Sequence, residues 1–231
     1  MVLSMRRILI ATGLALAMVG AGAAYADTTG QQRVVERARL ALDAFLDDPN
    51  FADMHPYVQN AYGILIVPEL LKGGLFLGAE YGVGVLLVRD SPTGQWSQPV
   101  FYDLYGGSLG LQFGGQSSDV AVTIMNEGAV DKILNSDVKV QFGADAGMAV
   151  GRVGAGIGAG TTTHFGEDLY VFAKSKGFFG GVSVDSTFVV PKADWNEAYY
   201  GHPISPAEIV RSRQVVASNG VDALHRALTR F

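Results

Sequence analysis

The sequence predicts an α+β fold in a single β-rich domain: an antiparallel curved sheet or barrel-like sandwich flanked by N- and C-terminal helices. Three observations predict it. Apolar residues recur at helical spacing near the two ends and in short pieces between, whereas most of the stretch from Tyr62 to Val190 carries runs of β-branched and aromatic residues. Thirty glycines and nine tyrosines beside only 17% charged residues describe close backbone packing under aromatic cover rather than a charged helical bundle. No linker separates the two β-rich regions, and 48% hydrophobic residues over 231 positions suffice for one shared core.

Residues 1–26 read as an export leader that is cleaved. Arg6 and Arg7 form its positive start, Ile8 to Gly20 its apolar run, and Ala24-Tyr25-Ala26 a small-residue cleavage site before Asp27. The competing reading is an uncleaved anchor helix, since Ile8 to Ala24 approaches the roughly 20 apolar residues that cross a bilayer. The small residues ending at Ala26 favour cleavage. The domain is thus expected over residues 27–231, in an exported protein, periplasmic or secreted and peripheral to a membrane. Losing Arg6 and Arg7 makes the mature chain two charges more negative than the −5 of the whole sequence, which argues against nucleic acid as a partner. The sequence has no cysteine, which excludes disulfides, thiolate metal sites and cysteine nucleophiles.

Gln31 to Leu46 places Val34, Val35, Ala38, Ala41, Leu42, Phe45 and Leu46 at helical spacing. A second short helical piece is expected between Phe51 and Asn60. From Tyr62 the period changes: residues 63–67 (GILIV) form an apolar strand stopped by Pro68, and Leu75 to Val88 is a further strand region. Asp90 to Gly94 is a turn, Trp96 to Gly115 and Asp119 to Met125 are strands, and Glu127 to Leu134 a short helix. A second β-region runs from Val138 to Gly160, where Gly154, Gly156, Gly158 and Gly160 alternate with small apolar residues and leave one face bare. Leu169 to Ala173 and Val182 to Val190 are strands joined by a turn with Gly177 free to take positive φ. Helices from Pro206 to about Ser218 and from Val221 to Phe231 close the chain.

Two motifs suggest chemistry and fail on context. Gly106-Gly107-Ser108-Leu109-Gly110 matches the nucleophile-elbow pattern, but an elbow needs a helix after it and β-like LQFGG follows. Residues 154–159 satisfy a relaxed dinucleotide fingerprint, but their period of two continues past the motif instead of turning into a helix. The four histidines are scattered, so no metal is assigned, and no cofactor or catalytic residue is expected.

The stretch from Lys174 to Asp185, KSKGFFGGVSVD, offers the best binding chemistry. A hairpin accounts for its glycines, but Lys174, Lys176, Phe178 and Phe179 also combine cations with rings, as contact with anionic lipid requires. Lys72 and Trp96 are weaker candidates. Arg211, Arg213, Arg226 and Arg230 form a second basic group near the C-terminus.

AYGILIVP (61–68), KGG (72–74), YGVGVLL (81–87), WSQPVFYDLYGGSLGLQFGGQ (96–116), SKGFFGG (175–181) and NEAYYG (196–201) together resemble the SYLF, or Ysc84-type, lipid-binding domain family over nearly the whole mature chain. The resemblance implies a non-catalytic module, here a bacterial exported member, that contacts anionic phospholipid or a membrane surface peripherally. The competing class is a cell-envelope structural or protein-interaction module that binds a protein partner and no lipid.

Overall fold

The structure, a computed structural model, describes residues 28–75, 77–135, 140–143, 148–149, 160–165, 169–212 and 219–230. The leader, the glycine row at residues 154–158, and Arg213 lie outside them. Helix α1 (Thr29–Leu46) buries Val35, Ala38, Leu42, Phe45 and Leu46, the stripe its spacing predicts. Asp48 then accepts from the amide of Asn50 at 3.0 Å, and Pro49 opens a 3₁₀ turn over Pro49–Phe51 before α2 (Met54–Asn60).

Among the described residues the sheet has seven strands: β1 (Gly63–Gly74), β2 (Leu77–Val88), β3 (Val100–Ile124), β4 (Val140–Gly143), β5 (Met148–Ala149), β6 (Gly160–Phe165) and β7 (Leu169–Pro191). Every named pairing is antiparallel. β1 and β2 form a hairpin, with Gly74 opposite Gly78 at its tip. The first half of β3 runs along β2, Val100 opposite Leu86 and Leu109 opposite Leu77. Its second half runs back along β1, Gly114 opposite Gly74 and Ile124 opposite Gly63. One strand therefore bends around the hairpin tip and grips both of its edges. Gly114, with φ of 131°, supplies a conformation at that bend that an L side chain resists.

Three sequence expectations are corrected. β1 does not stop at Pro68. A bulge between Val67 and Leu70 absorbs the missing amide, with Glu69 at φ 63°, and the strand continues to Gly74. Trp96 to Gly115 and Asp119 to Met125 are not two strands, since β3 is unbroken from Val100 to Ile124. Nor is the stretch from Lys174 to Asp185 a turn. It lies inside β7, whose 23 residues pair with β3 along nearly all of that strand, Gly177 opposite Gln116 and Gly181 opposite Gln112. The ladder with β3 satisfies the backbone groups on that side of β7, which a turn would leave to water.

α3 (Glu127–Asn135) lies between β3 and β4 in the chain, and α4 (Ala193–Tyr200), α5 (Pro206–Ser212) and α6 (Asn219–Leu228) follow the last strand. Helices cover both faces of one end of the sheet. On one face Tyr57 of α2 meets Tyr170 and Phe172, ring centroids 4.0 and 5.8 Å away. On the other, Gly63 lies so close to Val130 of α3 that a Cβ would sit 3.2 Å from it. α4, which the sequence reading missed, closes the start of β3: buried Asn196 accepts from the Phe101 amide at 2.8 Å and donates to its carbonyl at 3.1 Å. Gly201, at φ 78°, ends that helix. Among the described residues, no helix is long and apolar enough to cross a membrane.

Candidate binding face

Among the described residues, no helix covers one side of the other end of the sheet. In β2 the residues Leu77, Ala79 and Tyr81 point to one face, and Leu71 of β1, opposite Tyr81, joins them. Leu71, Leu75, Leu77 and Tyr81 are 56%, 59%, 69% and 49% exposed. Between them the register aligns Gly107, Ala79, Gly73 and Gly115 in one row across the bent β3 and the hairpin. A Cβ at Gly115 would meet nothing within 4 Å, and at Gly73 or Gly107 only a carbonyl oxygen beyond 3.6 Å. These glycines are not demanded by packing. Gly73 and Gly115 line a shallow depression of about 580 Å³ together with Leu71, Tyr81, Lys72 and Glu80.

The neighbouring row runs Tyr105, Tyr81, Leu71, Ser117 and Lys176. Tyr105 packs against Phe188 at 5.8 Å, which extends the apolar surface onto β7. The Tyr81 hydroxyl donates to Asp103 Oδ1 at 2.9 Å, and Lys192 Nζ donates to Asp103 Oδ2 at 3.0 Å. Partial burial, then the Asp103 carboxylate, raises the Tyr81 pKa. Burial pulls Lys192 down, but the hydrogen bond and charge of Asp103 outweigh it, so its pKa is raised. Tyr81 therefore stays neutral and Lys192 charged at neutral pH, and the pair Asp103–Lys192 forms a polar border to the apolar face.

The sequence-predicted residues are dispersed. Lys176 is exposed and shares the row of Leu71 and Tyr81. Lys174 donates to Asp48 at 2.7 Å and to the Ala44 carbonyl at 3.4 Å, tying β7 to the end of α1. Phe178 and Phe179 stand opposite Gly115 and Gly114 in the backbone register, and their side chains fall outside the description. Lys72 is half-buried, its row in register with Gln116 and Glu80 alternating with that of Leu71, and all three line the depression of about 580 Å³. Trp96 is core, 8% exposed, with the Arg89 guanidinium 5.8 Å from its ring. Of the terminal cations, Arg230 binds Asp43 at 3.2 Å and Asp47 at 2.9 Å, while Arg211 and Arg226 line a separate cleft. Ser108 sits mid-strand in β3 with no helix behind it, so the elbow geometry is missing.

Sequence reasoning missed the exposed leucines. The signal was present in the alternation of Leu77, Ala79 and Tyr81 with Gly78, Glu80 and Gly82. Such alternation ordinarily marks an apolar side facing a core.

A family model described as Ysc84, Las17-binding protein actin regulator, matches residues 105–231. That span begins after the β1–β2 hairpin. An SH3 domain-containing protein of Schizosaccharomyces pombe is 29% identical over 171 residues, 73% of this chain and 39% of its own length. LAS seventeen-binding protein 3 of Saccharomyces cerevisiae is 28% identical over 173 residues, 74% of this chain and 37% of its own. SH3 domain-containing YSC84-like protein 1 of Xenopus laevis is 26% identical over 144 residues, 62% and 42% of the two chains. The chain thus spans about two fifths of the length of the curated relatives it matches. No solved structure matches it.

Proposed function

We propose that this chain, which belongs to the Ysc84 family, is a non-catalytic binding module that holds a protein partner on the apolar face of its hairpin. The carrying observation is the exposure of Leu71, Leu75, Leu77 and Tyr81 around a floor of glycines with room above them. Large apolar side chains gathered in water on one side of a sheet gain free energy when another surface covers them. The family description and the name of the yeast relative both describe binding to another protein. What passes to this chain is that mode of action rather than the particular partner.

A photoreactive phenylalanine at position 77 of the full chain, illuminated in producing cells, is expected to give a defined protein adduct. Leu71→Asp should abolish the adduct and leave the melting temperature unchanged. Absence of an adduct, or one indifferent to Leu71→Asp, would remove the hairpin face from the proposal.

A second reading, peripheral contact with anionic phospholipid, draws on the exposed Lys176 in the row of Leu71 and Tyr81. Apolar side chains would enter the acyl boundary while the ammonium meets lipid phosphate. Sedimentation with phosphatidylglycerol vesicles that fades with salt and with Lys176→Glu supports it, and no sedimentation at any salt eliminates it. Export belongs to the proposal as well. A secreted chain whose N-terminus is Asp27 supports the leader at residues 1–26, and retention of Met1 overturns it.

A further inference from the structure

A second depression, about 760 Å³, lies between the Arg89–Gln98 connection and helices α3, α5 and α6, a volume typical of small-molecule sites. Its floor is apolar, since Trp96, Val130 and Leu134 are each no more than 8% exposed. Its rim is charged and divided. α3 presents Glu127 and Asp131, whereas α5 presents Arg211 and α6 presents Arg226. Asp222, one turn before Arg226, leaves that second wall with two cations to one anion.

None of these five side chains forms an ion pair among the described residues. The end of α1 behaves differently: Asp43, Asp47 and Asp48 each close on Arg39, Arg230 or Lys174. Across this cleft the acidic side chains of α3 and the basic side chains of α5 and α6 do not pair. Two lining side chains already have partners, His225 Nε2 on the Ser97 carbonyl at 2.8 Å and Arg89 on the Gln59 carbonyl at 2.5 Å. Gln98 differs from them. Only 9% exposed at the edge of the floor, it keeps its side-chain oxygen buried without a donor, a deficit that costs free energy until an N–H is supplied.

We propose that this cleft binds a zwitterionic molecule with an apolar side chain, an amino acid or short peptide with both ends free. The ammonium lies at Glu127 and Asp131, the carboxylate at Arg211 and Arg226, and the apolar side chain on Trp96 and Leu134. A peptide N–H entering over the floor gives Gln98 a donor once its terminal amide turns to meet it. Oppositely charged walls select for both charges at once, because a molecule lacking either leaves one wall facing apolar groups.

Titration of the full chain with leucyl-leucine, read by calorimetry and by Trp96 emission in a Trp195→Phe background, should give saturable binding at millimolar concentration or below. Blocking both ends, as in N-acetyl-leucyl-leucine amide, should weaken it at least about tenfold, as should Arg226→Glu or Asp131→Lys. These two positions are exposed, so melting temperature should hold while affinity falls. Absence of heat and of any emission change, or equal binding by the blocked peptide, overturns the proposal. Leu71→Asp should leave this binding intact, which separates failure here from failure of the hairpin face.

Discussion

Residues 63–67 of β1 are buried on both sides, whereas residues 71–74 are exposed or half-buried, and β2 repeats the change in reverse order. Leucine and glycine occur in both halves, but isoleucine and valine fill the covered one (63–67 GILIV, 82–88 GVGVLLV) while Lys72, Ala79, Glu80 and Tyr81 stand in the bare one. Cover differs more. Helices seal one half, and the other half puts leucines into water all the same. Glycines report the contrast most directly: a Cβ at Gly84 would lie 2.8 Å from the Ile66 carbonyl and from Val67, while one at Gly115 would meet nothing. In the covered half glycine is a packing requirement, and in the bare half it leaves a surface low enough for another molecule to approach.

Substitutions can break or sharpen this comparison. The largest effect is expected in the covered half from Asn196→Ala, which strands a buried amide and a buried carbonyl of Phe101. It should cost about 2–4 kcal/mol, since each orphaned group costs about 1–3, and chemical denaturation will measure it. Gly84→Ala follows, with a loss of about 1–3 kcal/mol from overpacking against backbone. An unchanged denaturation midpoint for Gly84→Ala would mean that the covered half yields as easily as the bare one.

A third effect tests the border between the halves. The Lys174 hydrogen bond, then that from the Asn50 amide, lowers the Asp48 pKa below its ordinary value of 3.8. A depressed folded-state value contributes stability above the unfolded pKa, and that stability is lost as pH falls through the folded value. The melting temperature of Lys174→Ala should therefore lie below that of the natural chain at neutral pH and converge with it in acid, below about pH 4. A constant gap across that window would exclude the ion pair as its cause. Smallest of all is Gly115→Ala in the bare half, expected to change stability by less than about 0.5 kcal/mol in most surface settings. If it unfolds the chain, that glycine has a structural duty and the contrast fails.

How much of this was legible in the sequence follows from the range of the forces involved. The spacing of Val35, Ala38, Leu42 and Phe45 predicts α1 because a helix contacts its neighbours along one stripe whatever those neighbours are. Glycine and β-branched density likewise predicts strands from Tyr62 onward. Pro68 misled because a lost amide ends a strand only when no bulge takes up the slack, and the bulge depends on β3, some fifty residues away. KSKGFFGGVSVD misled for the same reason: its glycines fit a turn locally, and the partner strand that holds them straight is remote. Ala193–Tyr200 was missed because its anchor, Asn196 on Phe101, spans 95 residues.

The candidate sites divide in the same way. Lys176 was identifiable as an exposed cation, but Lys174 two residues away is held by Asp48, and nothing in the local pattern distinguishes them. By itself the sequence determined the family, the mixture of helices and antiparallel strands, and which residue types were available to bind. Those depend on composition and on contacts within a few residues. Only the tertiary structure decided which leucines are core and which are surface, and which charges pair and which face an open cleft. Alternation assigns side chains to two sides of a strand, and whether either side is covered depends on where distant helices come to rest.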